Sequence, residues 1–260
     1  MVAANAIAHE YRDVQHTTAV ENWQLRRYLS QALEGENPSV LQLGGSDCTQ
    51  MRDACRAVWE LSDKAGECDY TALNLNCGCP SPKVANKGCF GASLMEDAAL
   101  VRDLCESMYL GCNNGSVPVT VKCRIGTDAT PESDLYSKLQ EFVETVASGG
   151  IVSDFQIHAR IAVLAKNFSP ADNRRIPALK YDFVQRLVND YPSLTFSLNG
   201  GVDSLTQAKK ELEVCEGLKG VMVGRAMAAS PWSWAMADQI IYGCDDHATR
   251  SRTRWDVLQE

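Results

Sequence analysis

An α/β fold built on one parallel sheet, of the (β/α)8 barrel type, is the fold this sequence predicts. Three observations point there. Short apolar runs alternate with amphipathic segments along most of the 260 residues, the links between them are short, and polar residues gather where nearly every apolar run stops. Alternating strands and helices with short links build a parallel sheet. Such a sheet binds ligands at its carboxyl ends, whether it closes into a barrel or stays open and doubly wound. No charge-run linker, internal repeat or low-complexity segment divides the chain, so residues 1–243 read as one domain and residues 244–260 as a polar tail.

The elements follow in order. Residues 1–7 read as the tail of a strand or a loop, and residues 20–33 as a helix. Residues 40–45 (V-L-Q-L-G-G) form a short buried strand with a glycine turn, and residues 49–64 a helix with apolar spacing at Cys55, Val58 and Leu61. Residues 70–75 are a strand, residues 93–108 a helix, and residues 117–124 a strand whose Pro118 sits near its start, where proline is tolerated. Helices are expected over 133–148, 182–190, 204–215 and 230–241, and strands over 154–160, 194–199 and 220–225, with a long polar loop between about 160 and 179.

Composition narrows the class. Hydrophobic residues make up 45% and charged residues 22%, ordinary for a soluble globular chain with a sizeable core. No apolar run is long enough to span a membrane, and the N-terminus lacks the layout of a secretion signal, so the expected location is the cytoplasm, with an organelle left open. Eleven cysteines are many, but 260 residues need no disulfide framework. Cys77, Cys79 and Cys89 hint at a metal, yet no second C-x-x-C or paired histidines complete a zinc set, and none is expected. A net charge of −8 argues against non-specific nucleic-acid binding, though not against a local basic face.

The stretch L-N-L-N-C-G-C-P-S at 73–81 organises the rest. Its alternating part is a strand; Gly78 and Pro80 stop it and set Cys79 on a loop. Cys79 is then either a buried structural cysteine or a reactive one at a strand end. An unperturbed cysteine thiol titrates at about 8.5, so it can serve as a general acid as well as a nucleophile, and the sequence leaves both roles open. Polar residues stand at the carboxyl end of nearly every strand: Gln42, Asn76 with Cys79, Lys122 with Arg124, His158 with Arg160, Asn199, and Arg225. Singly, such residues are usually solvated or hydrogen-bonded surface groups; together they converge on one rim. Lys122 can stabilise negative charge developing on a ligand ring, and His158 can donate to a carbonyl or phosphate. Asn199-Gly200-Gly201 and Gly224-Arg225 follow the last two strands. They are either ordinary glycine turns or the place where a barrel holds a phosphate, with glycines admitting backbone N–H groups and Arg225 supplying charge.

These motifs resemble the tRNA-dihydrouridine synthases, in particular the branch acting at D-loop positions 20 and 20a. The resemblance rests on L-Q-L-G-G at 41–45, L-N-L-N-C-G-C-P-S at 73–81, F-G-A-S-L-M at 90–95 and V-T-V-K-C-R-I-G at 119–126. It continues, in the family's order, with I-H-A-R at 157–160, N-R-R-I-P-A-L at 173–179, N-G-G-V at 199–202 and G-V-M-V-G-R at 220–225. The resemblance implies a flavoenzyme that uses FMN, with NADPH as reductant, to reduce uridine in the tRNA D-loop. Gln42, Lys122 and His158 match FMN contacts around the ring and ribityl chain. Asn199, Gly200, Gly201, Gly224 and Arg225 match the phosphate site, and Cys79 the proton donor. Asn76, Arg160 and Arg174 match positions facing the uridine and the tRNA. No metal or membrane is implied, and a monomer is expected.

Two departures accompany the resemblance. The family's first barrel strand, with its Pro-Met turn, has no counterpart, so seven strands at most and an open seam are expected. The family's C-terminal helical RNA-binding domain is absent, residues 244–260 being only its start. In addition, Ala171 stands where a lysine is expected. Arg160, Lys166, Arg174, Arg175, Lys180 and Arg186 supply a basic stretch that can meet RNA phosphates. Two other readings are a flavin barrel acting on free pyrimidines or dihydroorotate, and an inactive fragment or RNA-binding remnant. The N-R-R-I-P-A-L segment favours RNA over the former, and the retained Cys79, Lys122 and His158 speak against the latter.

Overall fold

A computed structural model describes residues 1–14, 25, 28–29, 39–61, 70–81, 90–244, 253 and 255. Its strands are β1 (Val2–Ala3), β2 (Val40–Gly44), β3 (Ala72–Cys77), β4 (Val119–Arg124), β5 (Asp154–His158), β6 (Thr195–Asn199) and β7 (Gly220–Met222). They make one sheet in sequence order, and every neighbouring pair is parallel. The helices are α1 (Ala4–Val14), α2 (Cys48–Glu60), α3 (Ala98–Gly111), α4 (Leu135–Ala147), α5 (Tyr181–Asp190), α6 (Leu205–Val214), α7 (Arg225–Ala229) and α8 (Ala237–Tyr242). This is the expected α/β order, and the sheet curls as a barrel wall does. Asn74 of β3 bonds Gln156 of β5, and Lys122 of β4 bonds Asn199 of β6, each across an intervening strand. Among the described residues no ladder joins β7 back to β1.

Alternation along each strand sorts the side chains. Leu73, Leu75, Val121, Phe155, Ile157 and Phe196 point outward and are completely buried, whereas Gln42, Asn74, Asn76, Lys122, Gln156 and Asn199 face the interior. Outward apolar residues pack under the helices; Phe155 and Phe196 stack with ring centroids 5.9 Å apart. Helix α2 packs against both α1 and α3. The approach to α3 is close, since a Cβ on Gly111 would stand 2.5 Å from the Arg52 carbonyl oxygen, so only glycine fits there. A smaller apolar cluster of Val202, Leu205, Ala208 and Trp234 lies under α6, with Ile241 of α8 packed on it.

Several expected boundaries move, each for a local reason. Residues 1–7 hold a two-residue strand and then enter a helix at Ala4. The single helix expected over 93–108 is two elements: a 3-10 turn at Gly91–Glu96, then α3. Asp97 breaks it, taking φ −134° and ψ 77° and accepting from the Leu100 N–H at 3.0 Å as an N-cap. The strand expected over 220–225 ends at Met222, and Arg225 begins α7. The helix expected over 230–241 is a 3-10 turn at Pro231–Trp234 followed by α8, which Gly243 closes in the left-handed region at φ 67°. The helix expected over 20–33 and the tail beyond 244 lie mostly outside the described residues.

Candidate active site

The cysteine loop is fixed by its neighbours. Strand β3 ends at Cys77, and the Asn76 side-chain oxygen turns back to accept from the N–H groups of Gly78 and Cys79, at 3.1 and 3.0 Å. The Cys79 carbonyl accepts from the Ala92 N–H at 2.9 Å. Arg124, buried at the end of β4, donates from Nε to the Gly78 carbonyl at 3.0 Å. Its Nη1 reaches the carbonyls of Ile161 and Asn173 at 2.7 and 3.1 Å, so one guanidinium ties the cysteine loop to two points of the long loop after β5. Burial, offset by Cys79 and reinforced by Arg160 and Arg174, lowers its pKa to about 10.

Cys79 is half-buried and lines a cavity of about 880 Å³ in the sheet's concave face, together with Gln42, Asn76, Lys122, His158, Arg174 and Asn199. A second cavity of about 630 Å³ shares Lys122, His158, Arg174 and Asn199 as a wall. It is otherwise lined by Gly200, Gly201, Gly224 and Arg225, among others. The expected site residues are thereby brought to one rim, with one exception. Arg160 lines neither cavity: its Nη1 donates to the Pro177 carbonyl, and its Nε is buried without a hydrogen-bond partner.

Lys122 donates to the Asn199 side-chain oxygen at 2.9 Å, and Asn199 donates in turn to the Met222 carbonyl at 2.8 Å. Burial pushes the Lys122 pKa down to about 8, with Arg124 adding to the effect. His158 goes further: burial, then the charges of Arg124, Lys122, Arg160 and Arg225, lower it to about 3, so the ring is neutral at physiological pH. Its Nδ1 is buried and without a hydrogen-bond partner. The ring lies against Gly200, where φ is +114° and a Cβ would come within 3.2 Å of the imidazole. Gly224, by contrast, opens onto free space.

The basic stretch is less unified than its sequence suggests. Lys180 pairs with Glu132, Arg175 with Asp172 at 3.2 Å, and Arg186 stacks on the Tyr136 ring with its guanidinium carbon 3.5 Å from the centroid. Arg174 stays exposed and on the wall of both cavities. Sequence reasoning sets Arg124 on the rim but with no role of its own, and it passes over Asn74 and Gln156, although L-N-L-N and D-F-Q-I-H alternate so as to set both on the inner face. Among the described residues no group of three or more His, Cys, Asp or Glu side chains is gathered as a metal site needs, and no helix is long and apolar enough to cross a membrane.

Whether these residues fit a flavin mononucleotide can be judged from the site itself. A buried, unpartnered imidazole nitrogen, an ammonium held beside it, a cationic surround and a glycine-lined second cavity suit a polar heterocycle joined to a phosphate.

The chain is 44% identical over 212 residues to the tRNA-dihydrouridine(20/20a) synthase of Salmonella typhimurium, covering 82% of this chain and 58% of that protein. It is 43% identical over 213 residues to the Escherichia coli protein of the same name, covering 82% and 56%. To that of Yersinia pestis it is 42% identical over 209 residues, covering 80% and 55%. The chain thus spans somewhat over half the length of the curated relatives it matches. The profile described as dihydrouridine synthase (Dus) matches residues 1–260, and the chain belongs to the dihydrouridine synthase family.

Proposed function

We propose that this chain carries the catalytic barrel, over residues 1–243, of a tRNA-dihydrouridine synthase that reduces uridine in the D-loop with FMN and NADPH. One observation carries the reading: a loop-borne cysteine, a buried ammonium and a neutral histidine share a cavity that adjoins a second one lined by glycines and Arg225. In this reading Gln42, Lys122 and His158 hold the flavin ring and ribityl chain. Gly200, Gly201, Gly224 and Arg225 hold the phosphate, with Asn199 tying Lys122 to β7 beside it. Asn76 and Arg174 face the uridine and its strand, and Arg160, which lines neither cavity, reaches the substrate only once its side chain leaves the Pro177 carbonyl.

Reduction of a uracil ring consumes the C5=C6 double bond by adding a hydride at C6 and a proton at C5. FMN, when bound and reduced by NADPH, would supply the hydride. Cys79 supplies the proton: its S–H bond breaks, a C–H bond forms at C5, and the thiolate left behind regains a proton from water. Asn76 and Arg124 hold the loop so that the thiol faces the cavity. The cationic Lys122 stabilises negative charge developing on the ring system, and the low-dielectric surround strengthens that effect.

The test is to incubate the FMN-loaded chain with unmodified tRNA and NADPH and to quantify dihydrouridine by nucleoside mass spectrometry. Cys79→Ala is expected to slow formation by roughly 10²–10⁴-fold, the usual worth of a general acid, while retaining FMN. Full activity in that variant would remove Cys79 from the chemistry, and reduction of free uracil in preference to tRNA would replace the substrate.

A further inference from the structure

The polar side chains inside the curled sheet form one unbroken hydrogen-bond chain. Lys219 pairs with one oxygen of Asp154. The other accepts from Gln156 Nε2 at 2.9 Å. Gln156 Oε1 accepts from Asn74 Nδ2 at 2.7 Å, and Asn74 Oδ1 accepts from Gln42 Nε2 at 2.8 Å. Gln42 Oε1 accepts from Asn76 Nδ2 at 2.8 Å, and Asn76 Oδ1 accepts the backbone N–H groups of Gly78 and Cys79.

Every bond in this series runs the same way. An amide can face either direction, since its oxygen only accepts and its nitrogen only donates. Here both ends forbid reversal. A carboxylate paired with an ammonium can only accept, and the backbone N–H groups of the cysteine loop can only donate. Turning any one amide would set nitrogen against nitrogen or oxygen against oxygen in a half-buried interior, where such mismatches are costly. The polarity also decides what the cavity offers. Gln42 Nε2 and Asn76 Nδ2 each spend one proton in the chain and keep a second, so both line the cavity as donors.

We propose that Asp154, Gln156 and Asn74 are positioning residues. The Asp154 carboxylate fixes the facing of four amides in series, and so aims the donors of Gln42 and Asn76 at acceptor atoms of the bound heterocycle and holds the Cys79 loop. The claim about the heterocycle rests on the function proposed above; the claim about the loop does not.

The decisive variants are at Gln156, in the middle of the chain. Gln156→Met keeps the length and removes both bonds. Gln156→Glu makes the facing conditional on a proton: a neutral acid donates to Asp154 and accepts from Asn74, as glutamine does, whereas a carboxylate repels Asp154. The charged or titratable groups around that position are Asp154 and His158 on its own strand, Lys122 on β4 and Lys219 ahead of β7. The neighbours on β3 and β6, Asn74 and Ser197, are uncharged.

Two readouts on the full chain separate the claims. Amide hydrogen exchange at Gly78 and Cys79, measured by nuclear magnetic resonance without flavin, reports the loop; the dissociation constant of FMN reports the cavity. Gln156→Met is expected to speed exchange and weaken FMN by about tenfold each, the scale of one lost hydrogen bond in a half-buried site. Gln156→Glu is expected to resemble the parent at about pH 5.5 and the methionine variant at about pH 7.5, because the facing carboxylate raises its pKa. Leu187→Ala on α5 is the control for a general loss of stability and is expected to move neither readout once melting temperatures are matched. Unchanged exchange in both Gln156 variants, or changes equal to those in the control, overturns the proposal. A parent chain that binds no FMN overturns the flavin reading alone, and exchange still decides on the chain of amides.

Discussion

The outward face of β3 to β6 and the inward face of the same strands separate two kinds of residue at every second position. Outward, Leu73, Leu75, Val121, Phe155, Ile157 and Phe196 are completely buried among apolar neighbours. Inward, Asn74, Lys122, Gln156, His158 and Asn199 line a cavity and bond to one another or, in His158, keep an unpartnered nitrogen. A barrel interior is ordinarily packed with branched apolar residues. Here that packing is given up on the inside, and stability rests on the layer between strands and helices. The outer layer holds the fold and the inner layer lines a cavity, with the backbone pleat as the only partition.

This division can be broken from either side. The largest effect is expected outside. Phe155→Ala removes a fully buried ring stacked on Phe196 and should cost about 3–5 kcal/mol of unfolding free energy, read from urea denaturation. Any flavin affinity surviving in the remaining folded fraction should be near that of the parent.

The next effect belongs to the inner face and has two opposite slopes. The Lys122 pKa falls from 10.5 to about 8 in the folded chain. Between those values the unfolded state binds more protons, so stability at this site rises with pH from about 8 upward. Over the same range Lys122 loses the charge that favours an anionic ligand, so FMN affinity should fall, by roughly tenfold or more if the lost contact is charge-assisted. Thermal melts and fluorescence titrations at matched pH read the two slopes, and Lys122→Met should flatten both. Parallel slopes would mean that Lys122 does not face the ligand.

The smallest effect lies at the border of the two layers. Asp97 caps α3, and Asp97→Ala should cost about 1 kcal/mol, seen as a lower denaturation midpoint with flavin binding unchanged. A change in binding there would show that the helix behind the cysteine loop transmits into the site.

The outward layer was largely legible in the sequence. L-N-L-N, V-T-V-K-C-R and D-F-Q-I-H alternate with period two, and that pattern fixes both the strand and its buried side. Cys79, Lys122, His158 and the two glycine turns were legible as strand ends, because polar residues after an apolar run have few other reasons to cluster. Less legible was what depends on distant pairing. Arg124 gave no sign that it would bind three carbonyls in two other loops, since those carbonyls belong to residues far off in the chain. Asp97 carried an N-cap signal inside a helical pattern, and the pattern prevailed in the reading. The basic loop looked continuous because sequence proximity hides partners such as Glu132 and the Tyr136 ring.

The cysteines carry a consequence for oxidative stress. Cys77, Cys105 and Cys123 are buried together, and burial pushes all three thiols up, that of Cys123 to about 12. They hold almost no thiolate at neutral pH and so present little to peroxide. Two residues beyond Cys77, the strand has stopped and Cys79 is half-exposed on the cavity wall; Cys48 is also half-exposed and Cys244 exposed, but neither lines the cavity. An oxidant therefore meets Cys79, the thiol proposed as proton donor, long before the structural ones. On the proposed role of Cys79, damage of that kind leaves the protein folded and silent, and its first sign is a loss of turnover while the melting curve stays in place.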